Sequence, residues 1–234
     1  MQSQSCITRS RAKSCGAKSI DNMNLTQVFR SYELLVDKAE AAFQGIGKEH
    51  SACIKCERHC ADCCHAVFGL FLIEAVYINK SFARLDGKAA QDTLLRCDEM
   101  DRALRRIEIM LQKYADDPQM KAHALATERI RCPLLDRNLD CVLYPFRPIT
   151  CRVYGIPTKI QGKAHVCGKA GFHKGESYPV FDLDLVYKEL FLLSKELLDE
   201  AGIDCKDKAS LLISMSKAIR TPVDDLIKED FRAT

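Results

Sequence analysis

Nine cysteines crowd into two stretches of this chain, and thiols at such spacings are first of all metal ligands. The first stretch reads Cys53-Ile-Lys-Cys56-Glu-Arg-His-Cys60-Ala-Asp-Cys63-Cys64-His65. Two or three residues between sulfurs let a chain wrap so that several converge on one centre. The adjacent Cys63 and Cys64 point in different directions, which suits two nearby centres, or one ligand beside one packed thiol. The second stretch holds Cys132, Cys141, Cys151 and Cys167. Those intervals are too long for one knuckle and fit a loop pinned at several points. The expected ligand set is Cys56, Cys60, Cys63, Cys64, Cys132, Cys141, Cys151 and Cys167, with Cys53 in reserve.

Four thiolates on Zn²⁺, or on an oxidised four-iron cluster, leave a net charge of about −2. Arg58, Arg131, Arg147 and Arg152 neighbour the cysteines. Arg147 and Arg152 in particular are expected to serve the cofactor by donating N–H groups to the sulfurs; ordinary surface arginines are the plainer alternative. His59, His65, His165 and His173 could replace a thiolate, His65 being the best placed of them, but solvent-facing or loop-packing roles are the expected reading of each. Cysteine-only sites do not separate zinc from iron. Nine sulfurs with an adjacent pair exceed what one zinc site needs, which tilts the reading toward an iron–sulfur cluster.

These residues carry a family resemblance. Cys56 followed by Cys60-Ala-Asp-Cys63-Cys64 resembles the Cys-x-x-Cys-x-x-Cys-Cys signature of the YkgJ-type cysteine cluster proteins. Arg131-Cys132-Pro133-Leu134-Leu135, Cys141-Val-Leu-Tyr144 and Arg147-Pro148-x-x-Cys151-Arg152 look like that family's second, more specific signature. The likeness covers about residues 53–170, with one departure: three residues, not two, separate Cys56 from Cys60. It implies a domain that chelates zinc or iron. One branch of the family resembles lysine N-methylases that act on flagellin, so an S-adenosylmethionine-dependent enzyme is one alternative function and a purely structural zinc-stabilised interaction domain another. The glycine pairs Gly45/Gly47 and Gly168/Gly171 are weak signals for a cofactor loop, and spacing yields neither a Ser–His–Asp nor a paired-carboxylate arrangement. The leading expectation is a redox or metal-carrying module, which could serve a protein partner.

Composition agrees with a metal-binding protein in a reducing compartment, taken here as the cytoplasm. Thirteen cysteines cannot all pair, 234 residues is long for a disulfide scaffold, and the N-terminus lacks the apolar stretch of a secretory signal. A net charge of +3 is too small to argue for nucleic acid. The apolar run Val67–Val76 is broken by Glu74, so no membrane span is expected.

The elements that must position these groups are mainly helical. Residues 1–24, with Arg9, Arg11, Lys13 and Lys18, read as a disordered basic tail; an organelle transit peptide is the alternative. Cys6 and Cys15 in it are expected to be free thiols. Residues 25–234 read as one helical metal-binding domain. Val28, Tyr32, Leu35, Ala39, Phe43 and Ile46 fall on one helix face, with Gly45 and Gly47 as the stop. A buried helix is expected over Ala66–Phe82, and an amphipathic one over Ala89–Tyr114, with Leu94, Cys97, Leu104, Ile107, Leu111 and Tyr114 as its stripe, so Cys97 reads as a core residue. A shorter helix is expected from Gln119 to Arg129. Residues 131–180 are rich in proline and lack a period. Fifty irregular residues are uncommon in a compact domain unless something ties them down, and metal is the expected tie. Val186, Leu190, Leu193 and Leu197 mark a helix ending at Gly202; Leu211, Leu212, Met215 and Ile219 mark another; and Thr221-Pro222 starts a last one.

Overall fold

The computed structural model describes residues 25–204 and 206–228, and over them the fold is mainly α. The expected tail with Cys6 and Cys15, and Cys205, lie outside the described residues. The helices are α1 (Leu25–Glu49), α2 (Leu72–Phe82), α3 (Gly87–Gln112), α4 (Pro118–Thr127), α5 (Ile149–Val153), α6 (Leu183–Glu200), α7 (Lys206–Ala209), α8 (Met215–Arg220) and α9 (Val223–Lys228). A small sheet joins β1 (Thr158–Ile160) antiparallel to β2 (Lys163–His165) and parallel to β3 (Phe181–Asp182).

The core is built around α2, which packs against α1, α6, α8 and α9. Its Leu72, Ile73, Ala75, Val76 and Ile78 are completely buried, as an apolar segment without a polar face must be. Two side chains fasten neighbours to it. Ser194 Oγ on α6 accepts the Ile73 N–H at 3.2 Å, and Asn79 Nδ2 donates to the carbonyls of Ala218 (2.8 Å) and Thr221 (2.9 Å), tying down α8.

α1 buries Val28, Tyr32, Leu35, Ala39 and Ile46. It runs through Gly45 and Gly47 instead of stopping there. A glycine costs an exposed helix about 1 kcal/mol relative to alanine, and the buried Ile46 between them keeps the helix worth continuing. α3 starts at its Asp86 cap, which accepts the Ala89 N–H at 2.9 Å. Cys97 on its inner face is fully buried, a core residue as its place in the stripe implies.

Two expected boundaries move because short extended pairings outcompete helix. Residues 66–71 are extended, so α2 begins only at Leu72. Ala66 pairs with Arg129, and Leu70 exchanges two 2.8 Å backbone bonds with Ile213. That second pairing claims Leu211–Ile213, so α8 begins at Met215, after its Ser214 cap. Gly69 allows the approach: a Cβ there would lie 2.5 Å from that of Leu212. The last helix starts one residue late, with the Pro222 carbonyl accepting the Leu226 N–H, while Thr221 closes α8. Residues 131–180, expected to be irregular, contain α5, β1 and β2. No helix among the described residues is long and apolar enough to cross a membrane.

Candidate metal centre

Backbone pairing brings the two cysteine stretches together. Cys63–His65 forms one turn of 3₁₀ helix. The chain leaving it runs antiparallel to residues 129–132: Ile130 donates to the His65 carbonyl at 3.0 Å, and Cys132 to the Cys64 carbonyl at 2.7 Å. Cys64 and Cys132 thus become neighbours. The chain then doubles back. Val142 donates to the Leu134 carbonyl and Asp136 to that of Asp140, both at 2.9 Å, with Leu135 bridged to Cys141 and Leu139 at a positive φ of 63°. Asp136 steadies this turn by accepting the N–H groups of Asn138 and Asp140 at 2.8 Å. Cys151 sits in α5. Beyond β2, Gly171 donates to the Cys53 carbonyl at 2.8 Å and returns the Cys167 segment to the first stretch.

The product is a cavity of about 450 Å³ lined by Cys56, Cys60, Cys63, Cys64, Cys141, Cys151 and Cys167. Beside it lies a hollow of about 30 Å³, which shares Cys63, Cys64, Cys141, Cys151 and Arg147 and adds Cys132, its remaining wall being apolar side chains including Leu70, Met100, Leu134 and Met215. All eight expected ligands therefore lie around two adjoining spaces. Cys53, held in reserve, packs against the core instead. Among the described residues, no group of three or more His, Cys, Asp or Glu side chains stands in an arrangement that could hold a single ion.

The sulfurs are strongly coupled. Thiol hydrogen bonds from Cys151 and Cys64 hold Cys63 well below the usual cysteine range, while donating those protons pushes Cys151 and Cys64 up. Burial, reinforced by neighbouring cysteines, raises Cys132 to about 12 and Cys141 to about 11. Opposing this, a backbone N–H two residues ahead reaches each of three sulfurs: Leu134 to Cys132, Leu143 to Cys141, and Lys169 to Cys167 at 3.5 Å. Such donors favour the thiolate.

Arg147 and Arg152 line the cavity, but their hydrogen bonds go to oxygen, not to sulfur as expected. Both reach Glu40 Oε1 on α1, Arg152 at 2.6 Å and Arg147 at 3.0 Å. Arg152 also donates to the carbonyls of Pro145 (2.6 Å) and Arg147 (2.9 Å), and Arg147 stacks over the Tyr144 ring at 3.9 Å. Arg147 acts on the sulfurs through its field, opposing the burial that raises Cys56 and Cys141 and helping to hold Cys63 down. Arg58 pairs with Asp140, and Arg131 donates to the carbonyls of Leu135 and Asp136. His59 lines the cavity with Nδ1 2.8 Å from the Asn138 carbonyl, and His65 Nδ1 lies 2.9 Å from that of Ala61. His165 and His173 are exposed. Gly45 and Gly47 lie in α1, and Gly168 and Gly171 in the turn that follows Cys167.

Sequence reasoning missed four residues here. Glu40 gives no local signal, since its partners are over a hundred positions away. Asp62 accepts a hydrogen bond from Cys167 at 3.3 Å and an ion pair from Arg129 at 2.8 Å; its position between Cys60 and Cys63 was the available clue. Glu74, the acid interrupting an apolar run, accepts the N–H of Phe71 (3.4 Å) and of Ile149 (3.1 Å), joining the starts of α2 and α5. Burial raises its carboxyl to about 7. Gly155 faces Cys56, whose sulfur would lie 2.2 Å from a Cβ at that position.

Compared with protein-family models, with curated proteins and with solved structures, the chain matches none.

Proposed function

We propose that this protein is a metal-binding module that carries an iron–sulfur cluster, or a zinc or iron ion, on the sulfur wall of Cys63, Cys64, Cys132, Cys141 and Cys151. The observation that carries this reading is the meeting of two distant cysteine stretches at one wall, with Cys64 and Cys132 joined by a 2.7 Å backbone bond. The donor set is soft, as zinc and iron–sulfur centres require. Backbone N–H groups already address the sulfurs of Cys132 and Cys141, the outer-shell support that metal thiolates use. The 450 Å³ of space before the wall favours a cluster over a lone ion, since zinc–sulfur bonds of about 2.3 Å need little room.

A cluster bound there would supply one-electron redox capacity; zinc would supply structure alone. The chain's own part is to hold the thiolates in register, through the 64–132 pairing and α5, and to offset their charge with Arg147 and Arg152. A module of this kind works with a protein partner that delivers or receives the electron or the metal. Exposed and half-exposed thiols such as Cys56 and Cys60 suit a reducing compartment, the cytoplasm being the simplest. Anaerobic purification followed by iron, sulfide and zinc analysis tests the reading. Iron with matching sulfide selects the cluster, zinc alone selects the structural form, and protein free of both contradicts the proposal.

A further inference from the structure

Leucines stand in the open on α6. Leu185 is 57% exposed and Leu192 54%, and a seven-residue separation sets them two turns apart on the same line of the helix. At about 100° per residue, Lys188 and Lys195 run down one side of that line, and Glu189 and Glu196 down the other. Lys188 and Glu189 are exposed, Lys195 and Glu196 half-buried, and none of them forms an ion pair with another described residue. The basic side borders an open groove lined by Phe71, Tyr187, Lys188, Phe191, Leu192 and Ser210. Leu212, just past Ser210, is 60% exposed as well. The opposite side of α6, with Leu190, Leu193 and Leu197, is buried in the core. The helix is thus apolar on two sides, and only the inner one is covered. Exposed leucines scattered singly are ordinary, but a line of them beside an apolar groove marks a contact surface.

We propose that this outer face of α6 pairs with a second copy of the chain about a two-fold axis parallel to the helix. Under that operation the leucine line meets its own copy, and the lysine side of each helix falls opposite the glutamate side of the other. Lys188 and Lys195 of one copy then face Glu189 and Glu196 of the partner subunit, and the reverse. An antiparallel two-fold would set lysine against lysine and glutamate against glutamate, so the charge pattern selects the parallel arrangement. It also selects the occupant. An acidic or a basic helix of another protein would satisfy one side of the line and oppose the other, whereas a second copy satisfies both. Exposed ion pairs contribute little binding energy each; the leucines and the groove supply the contact, and the charges set its direction and register. α6 carries no cysteine, so this pairing goes beyond the metal-binding reading and does not depend on it.

The test is sedimentation equilibrium of the full chain over a range of concentrations, under anaerobic conditions so that no disulfide links the copies. Wild type is expected to form a dimer. Leu192→Glu should leave a monomer whose circular dichroism matches wild type. Lys188→Glu/Lys195→Glu should raise the dissociation constant about tenfold or more, and adding Glu189→Lys/Glu196→Lys to that chain should restore pairing, since the swapped pattern is again self-complementary. A zero-length carbodiimide, which joins lysine to glutamate, is then applied to a mixture of isotope-labelled and unlabelled wild type. Mass spectrometry should find Lys188 or Lys195 of one chain coupled to Glu189 or Glu196 of the other. Wild type that stays monomeric throughout the range overturns the inference. A dimer unchanged by both Leu192→Glu and the double charge reversal places the contact elsewhere and overturns it too, as does the absence of mixed-label crosslinks on α6.

Discussion

Glu40→Ala should destabilise the protein although no metal ligand is touched. Arg152 is 6% exposed and carries its charge on three acceptors: Glu40 at 2.6 Å and the carbonyls of Pro145 and Arg147. Arg147, 15% exposed, leans on the same carboxylate oxygen. Removing Glu40 leaves two guanidiniums side by side with no counter-charge between them. Breaking one partner of a fully buried ion pair costs about 3–5 kcal/mol. Glu40 itself is 30% exposed, so water can enter its place, and that figure falls to about 2 kcal/mol once screening is allowed for. For a chain of this size, the loss corresponds to a thermal midpoint about 4–8 °C lower. Glu40→Gln keeps an acceptor for Arg152 and should lose about half as much. The assay is thermal unfolding of both variants beside wild type, at fixed pH and with matched metal content. A Glu40→Ala protein within about 0.5 kcal/mol of wild type, the range of ordinary surface substitutions, would refute the claim that this carboxylate anchors α5 to α1.

Further expectations follow from other parts of the structure. Glu74 is raised to about 7 from an ordinary value of 4.5, so the native state keeps a proton that the unfolded chain has lost between those values. Its contribution is favourable below about pH 4.5 and fades by roughly 3 kcal/mol as the pH rises through 7. Glu74→Gln should flatten that part of the stability profile, and parallel profiles for variant and wild type would contradict the assignment. Cys97→Ala should cost about 1 kcal/mol in packing with metal content unchanged, read by urea unfolding beside elemental analysis; a loss of metal would place Cys97 in the centre. Removing metal should release the amides of residues 131–180 while α1, α3 and α6 keep much of their protection. Hydrogen exchange on the two forms checks this, and equal protection of that segment counts against a structural role for the metal.

How much the sequence disclosed depended on range. The stripes Val28–Ile46 and Leu190–Leu197 are local periodic patterns, and α1 and α6 follow them. Gly45 and Gly47 misled because a local breaker was weighed without the tertiary contact that holds Ile46. Residues 66–71 and 211–213 misled because a two-residue bridge between Leu70 and Ile213 has no period to detect. The cysteines announced themselves by type and spacing, and the turn Cys63–His65 sits where the tightest spacing is. That the two stretches meet at Cys64 and Cys132 was hidden, since the pairing spans nearly seventy residues. The arginines were noticed for their place beside cysteines, but what they bind is set by Glu40, an unremarkable surface position in the pattern of α1.

The central claim is that the sulfur wall binds metal, and elemental analysis of three anaerobically purified variants tests it most directly. Cys63→Ser, Cys132→Ser and Cys151→Ser replace soft thiolates of the wall with hydroxyls, which are poor substitutes. The account predicts that each holds less metal than wild type, with Cys97→Ala as the buried-thiol control that keeps it. Full metal occupancy in all three serine variants would contradict it.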